Sequence, residues 1–117
     1  MSRILVVDDE PMIAMLLEDW LIELGHEIVG PAHSASSALA LLETASPDAA
    51  IVDVSLGDES GYPVAECLSK RKIPFVFATG YGQANLMPPF AGTRVLTKPF
   101  DFSALRSALD GLANGTA

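Results

Sequence analysis

Short apolar runs alternate with stretches of helical spacing along the whole chain. The runs are Arg3 to Asp8 (Ile4-Leu5-Val6-Val7), His26 to Ala32, Asp48 to Val54, Pro74 to Thr79 and Thr93 to Thr97. Each reads as a short buried strand. Strand and helix alternating at this spacing predict an α/β fold, a five-stranded parallel sheet with right-handed crossovers and helices on both faces. At 117 residues, half of them hydrophobic, the chain is expected to form one domain around one core, residues 1–117, with no output domain.

Helix signals separate the strands. Pro11 opens the first helix, where its missing N–H costs nothing. Ile13, Leu16, Leu17, Trp20, Leu21 and Leu24 give it an inward stripe, and Gly25 supplies a left-handed cap. Ser34 or Ser36 caps the second helix, whose inward residues are Ala38, Leu39, Leu41 and Leu42 and which stops before Pro47. Pro63 sits in the first turn of the third, which runs to about Lys70 with Val64, Ala65, Cys67 and Leu68 inward. Pro88-Pro89 forbids a regular fourth helix and leaves one or two turns near Gln83 to Met87. Asp101 caps the last helix, with Phe100 and Leu105 at staple positions and Phe102, Leu105, Leu109 and Leu112 inward. Asn114 to Ala117 reads as a frayed tail.

Charge and composition narrow the function. The formal net charge is −8, from 15 acidic and 7 basic residues, and the one basic cluster, Lys70-Arg71-Lys72, lies where a helix dipole calls for it. Direct nucleic-acid binding is disfavoured. No apolar run reaches the roughly 18 residues of a membrane span. The start runs straight into a strand, so no signal peptide is expected, and one cysteine, Cys67, forms no internal disulfide. Both fit a cytoplasmic protein. Cys67 reads as a small core residue. His26 and His33 bracket strand two with no partner at metal-ligand spacing, and both read as solvent-facing loop residues.

In an open parallel sheet the strand C-terminal ends share one edge, and sites form there. At that edge stand Asp8 and Asp9 after strand one, Asp53 after strand three, Thr79 after strand four and Lys98 after strand five. Three carboxylates brought together repel, and a hard divalent cation such as Mg²⁺ resolves the repulsion through oxygen ligands. Asp9 and Asp53 are the expected direct ligands, the Ser55 backbone carbonyl completes the protein set, and Asp8 acts through water. Such a site suits phosphoryl transfer, which needs positioning and charge neutralisation. Asp53 is then the phosphoryl acceptor. Lys98 pairs with Asp53 and later with a phosphoryl oxygen, and Thr79 donates its hydroxyl to another.

Four motifs carry a family resemblance. They are Val6-Val7-Asp8-Asp9-Glu10, Ile51-Val52-Asp53 with Gly61 eight residues on, Phe77-Ala78-Thr79-Gly80, and Thr97-Lys98-Pro99-Phe100. Over nearly its whole length the chain resembles a bacterial two-component response-regulator receiver domain. The resemblance implies a flavodoxin-like fold of strand order 2-1-3-4-5 and the same roles for Asp53, Asp8, Asp9, Thr79 and Lys98. It implies a histidine kinase or histidine phosphotransfer protein as donor, a downstream protein target, and slow self-catalysed loss of the phosphoryl group. Pro74-Phe75-Val76-Phe77-Ala78-Thr79-Gly80-Tyr81-Gly82 is similar to the signature of the FATGUY receivers, many of them single-domain proteins tied to HWE-type kinases. The chain departs from the typical pattern at three places, one being the stretch from Thr79 to Lys98, which is short and interrupted by Pro88-Pro89. Gly57 replaces a proline four residues after the acceptor, so that loop is expected to be looser. Val95 replaces the aromatic switch residue three before the lysine, which makes Tyr81 the switch candidate.

Two other functions compete. A Mg²⁺-dependent phosphohydrolase with Asp53 as nucleophile would resemble the haloacid-dehalogenase family, but that family needs an acid where this chain has Ser55. A pseudo-receiver would bind partners without phosphorylation, and the intact acidic set argues against it.

Overall fold

The computed structural model describes residues 2–79, 95–98 and 100–113. Eleven elements follow in chain order: β1 (Arg3–Val7), α1 (Pro11–Glu23), β2 (Glu27–Ala32), α2 (Ala35–Thr44), β3 (Ala49–Asp53), β4 (Ser55–Leu56), β5 (Glu59–Ser60), α3 (Tyr62–Lys70), β6 (Phe75–Thr79), β7 (Val95–Thr97) and α4 (Phe102–Ala113). Five strands form one sheet of order β2-β1-β3-β6-β7, all neighbours parallel. This is the expected 2-1-3-4-5 arrangement of the flavodoxin-like fold. The turns predicted near Gln83 to Met87, Tyr81, the Thr93 end of strand five, the tail and the Leu112 side chain lie outside the described residues.

Register builds the core in two layers. Val52 lies between Val7 and Phe77, and Ile51 between Val6 and Val76. Successive side chains leave a strand on opposite faces. Leu5, Val7, Val52 and Phe77 therefore pack with α2 and α3, while Ile4, Val6, Ile51 and Val76 pack with α1 and α4. Central strands buried on both faces explain why their sequences are continuously apolar.

The helix ends follow local chemistry. Pro11 stands at the start of α1, and Gly25 just past its end adopts φ +91. Ser34, not Ser36, caps α2: its hydroxyl accepts from the Ser37 N–H in a reciprocal capping box. Arg71 crosses to the other end of α2, donating to the Leu42 and Ala45 carbonyls and the Ser46 hydroxyl. Part of the basic triplet thus caps a neighbouring helix, while Lys70 pairs with Glu66 one turn back. Asp101 Oδ1 accepts from the Ala104 N–H at the start of α4, as predicted.

Three expectations change. The α1 stripe holds except at one position: Leu17 and Leu21 are buried with Ala14, and Ile13, Trp20 and Leu24 pack against the same core, while Leu16 is exposed together with Met12, Met15 and Ile22. The segment after Asp53, read as a loop in the sequence, has regular structure. It folds into a hairpin, β4 against β5, around Gly57-Asp58 with Gly57 at φ +68. Positive φ at the first turn position is what a two-residue hairpin of this kind requires, and proline cannot supply it. The histidines, too, are engaged. His26 is half-buried and its Nδ1 accepts from the Ser2 N–H, and His33, though exposed, bonds back to the Asp8 residue.

Gly61 marks where the chain turns from the hairpin into α3. Its N–H donates to the Val54 carbonyl, and a Cβ there would overlap the Asp53 carbonyl and the Val52 side chain. Gly61→Ala is expected to destabilise the fold by about 1–3 kcal/mol through that overlap. Gly25→Ala, with open space around it, carries only the strain of positive φ. Urea unfolding of the two variants checks the order, Gly61→Ala being the less stable.

Candidate functional site

The strand register brings the predicted residues together. Val7 pairs with Val52, so the following residues, Asp8 and Asp53, emerge side by side. Asp53 pairs with Ala78, and Thr79 pairs with Thr97, the residue before Lys98. Asp8, Asp53 and Thr79 are the buried polar residues of the described chain, Asp8 at 1% and Asp53 at 4% exposure.

Lys98 is the centre of the cluster. Its main-chain N–H donates to the Thr79 carbonyl, which fixes the backbone beside β6. Its Nζ lies 2.8 Å from Asp53 Oδ2, 3.2 Å from Asp8 Oδ2 and 3.5 Å from Glu10 Oε1. The other Asp53 oxygen, Oδ1, accepts from the Ser55 N–H at 3.0 Å. Asp8 Oδ1 accepts from the Glu10 N–H, its N–H donates to the Ala32 carbonyl, and its own carbonyl contacts His33 Nδ1 at 2.9 Å.

Burial pushes the Asp53 carboxyl above its usual value. The Lys98 and Ser55 hydrogen bonds offset only part of that cost, and the Asp8 charge adds to it. Burial lowers the Lys98 ammonium, but the Asp53 hydrogen bond and the Asp53 and Asp8 charges outweigh it and leave Lys98 above its usual value. Lys98 is therefore a permanent cation at neutral pH, facing an excess of acid.

Asp8, Asp9, Glu10 and Asp53 each offer an oxygen, and these oxygens lie within 4.8 Å of one another. The donor set is all carboxylate and carries more negative charge than one lysine neutralises. That chemistry fits a hard divalent cation with oxygen ligands.

Each predicted residue but Tyr81 has a place in the described structure. Asp8, Asp9, Asp53, Thr79 and Lys98 gather at one edge, and Ser55 follows in β4. Val95 sits in β7, opposite Phe77, half-buried against the core. Tyr81 lies outside the described residues. Glu10 went unassigned in the sequence reading although it stands in the acidic triplet. As the N-cap of α1 it makes no side-chain capping bond, and its carboxylate turns to Lys98 instead. His33 follows the end of β2, and that strand end was passed over because a lone histidine carries no spacing signal.

Fold and site together define a receiver-type scaffold: a doubly wound parallel sheet with acids, hydroxyl and lysine at its C-terminal edge. The profile of the response regulator receiver domain matches residues 4–110, and the chain belongs to that family. The transcriptional regulatory protein PdtaR of Mycobacterium tuberculosis is 38% identical over 112 residues, 92% of this chain and 55% of PdtaR. The chain spans about half the length of the first curated relatives it matches. The solution structure of SdrG from Sphingomonas melonis Fr1 is 45% identical with a TM-score of 0.85 and covers 97% of both chains. The BeF3-activated conformation of SdrG from Pseudomonas melonis Fr1 is 47% identical with a TM-score of 0.80, covering 94% of each chain.

The crowded acids lead to opposite effects of two substitutions in metal-free buffer. Asp53→Asn removes a buried charge and is expected to raise the thermal midpoint. The pH dependence fixes the sign. A raised folded value means that native Asp53 binds its proton more tightly than unfolded Asp53, so wild-type stability falls as pH rises from about 3.8 through that value. The advantage of Asn should therefore appear above that window and vanish below it. Lys98→Met leaves the acids without their cation and is expected to cost roughly 1–3 kcal/mol. Thermal melts in chelator across pH check both.

Proposed function

We propose that this chain is a phosphoacceptor of a two-component phosphorelay, phosphorylated on Asp53 in a Mg²⁺-dependent reaction. The observation that carries the reading is the contact of Lys98 with Asp53 at 2.8 Å, inside a ring of three further carboxylates. The donor is a phosphohistidine on a histidine kinase or phosphotransfer protein. A carboxylate oxygen of Asp53 attacks phosphorus, the P–N bond breaks, and the leaving imidazole takes up a proton.

Bound Mg²⁺ supplies charge neutralisation for the phosphoryl oxygens. Asp9, Asp53 and the Ser55 carbonyl would hold it, with Asp8 and Glu10 alongside. Lys98 orients Asp53 before transfer and then pairs with a phosphoryl oxygen. Thr79, buried at the end of β6, donates its hydroxyl to another. The modified residue carries about −1.5 to −2 charges, enough to redirect Lys98 and Thr79.

Asp53 acts as a stoichiometric acceptor, not as the nucleophile of a turnover enzyme. Ser55 stands where a phosphohydrolase needs an acid, and its N–H is spent on Asp53 Oδ1. The Pro74 to Gly82 signature supports a receiver of the FATGUY kind, with an HWE-type kinase as donor and Tyr81 as the switch aromatic in place of Val95. Output runs through protein contact or through service as a phosphate sink, in the cytoplasm. No helix among the described residues is long and apolar enough to cross a membrane.

Intact mass after incubation with acetyl phosphate or a kinase tests the reading. Wild type with Mg²⁺ should gain one phosphoryl group. Wild type in chelator and Asp53→Asn should gain none. A protein unchanged by either donor in Mg²⁺ is a pseudo-receiver.

A further inference from the structure

Two residues just after β2 touch both halves of the site without belonging to it. His33 Nδ1 lies 2.9 Å from the Asp8 carbonyl. Ala35, two residues on, donates its N–H to Glu59 Oε1 at 2.9 Å. Glu59 is in β5, the returning strand of the hairpin that follows Asp53. One short segment, 33–35, is thus tied to the acid-bearing loop after β1 and to the hairpin after β3.

The chemistry of each tie is one-way. A carbonyl only accepts, so the His33–Asp8 contact is a hydrogen bond only when Nδ1 carries the proton. The Asp8 carbonyl belongs to the peptide unit that joins Asp8 to Asp9. Holding it fixes the rotation of that unit, and with it the direction in which Asp9 leaves the chain. The Asp8 N–H is held by the Ala32 carbonyl, so both main-chain polar groups of Asp8 are fixed from the β2 end. On the other side, the Ala35 N–H is a first-turn donor of α2, and Glu59 satisfies it with a negative charge at a helix N-terminus. The hairpin turns on Gly57, which gives little stiffness of its own, so the Glu59 tie limits its motion relative to Asp53.

We propose that His33 and Glu59 are positioning residues: segment 33–35 sets the separation between the Asp8-Asp9 loop and the Asp53 hairpin, and so the cation affinity of the site. This rests on the metal-dependent reading above. Neither side chain is a ligand in the proposal. They act through the Asp8 peptide unit and the hairpin.

Two measurements test it. Nitrogen-15 NMR of the wild-type imidazoles, without metal, should show His33 protonated on Nδ1. Protonation on Nε2, the form an unbonded exposed histidine favours, overturns the His33 tie. Calorimetric Mg²⁺ titration then compares variants below their melting points. His33→Ala and Glu59→Ala should each bind Mg²⁺ roughly tenfold more weakly, the scale seen when groups supporting metal ligands are removed. His33→Asn, whose amide N–H can replace Nδ1–H, and Glu59→Gln, which keeps the acceptor, should stay near wild type. Alanine variants that melt lower but bind Mg²⁺ as tightly as wild type have lost a purely structural contact, and that result overturns the proposal. If wild type itself binds no Mg²⁺, the functional reading fails instead, and the metal-free tautomer separates the two failures.

Discussion

A single ammonium group stands among the buried acids at the end of the sheet. Lys98 reaches Asp53, Asp8 and Glu10 at once, and it does so from β7, the strand added last at one side. Burying carboxylates beside one another is costly without a counter-charge. The fold therefore depends on β7 docking with its lysine directed across β6 and β3. The residual imbalance, seen in the raised Asp53 carboxyl, leaves the site receptive to further positive charge. The same imbalance that weakens the metal-free fold suits the site to a cation.

Register converts this electrostatic arrangement into position. Val7 level with Val52, and Asp53 level with Ala78, leave the acids of β1 and β3 adjacent with no loop search. Gly61 lets α3 begin hard against the Asp53 carbonyl, which holds the Asp53 backbone from that side. The hairpin between them is short and turns on Gly57. The sheet supplies rigidity and the loops at its edge supply chemistry, the division expected for open α/β sheets.

Most of this was legible in the residues, for reasons that particular segments show. β1, β3 and β6 are apolar on both faces, and such runs bounded by turn residues have few other readings. Since parallel strands end at one edge, Asp8, Asp9, Asp53, Thr79 and Lys98 followed from the strand assignment alone. Leu16 of α1 did not, because Met12, Met15 and Ile22 make that helix apolar on the outside as well, and spacing alone does not place a residue at the edge of the stripe. The hairpin at Gly57 was read as looseness from the lost proline, whereas its conformation comes from φ that only the folded chain reveals. His33 and Glu59 were missed because their partners are a main-chain carbonyl and a main-chain N–H. Main-chain partners leave no mark in the sequence.

The central claim is that Asp53, and no neighbouring acid, receives the phosphoryl group. Borohydride reduction of the phosphorylated protein, followed by peptide mass mapping, reads this directly, because reduction of an aspartyl phosphate leaves homoserine at the modified position. The account predicts homoserine at position 53 in Mg²⁺ and none in chelator. Homoserine at position 8 or 9, or a phosphoryl group that survives reduction on Ser55 or Thr79, would contradict it.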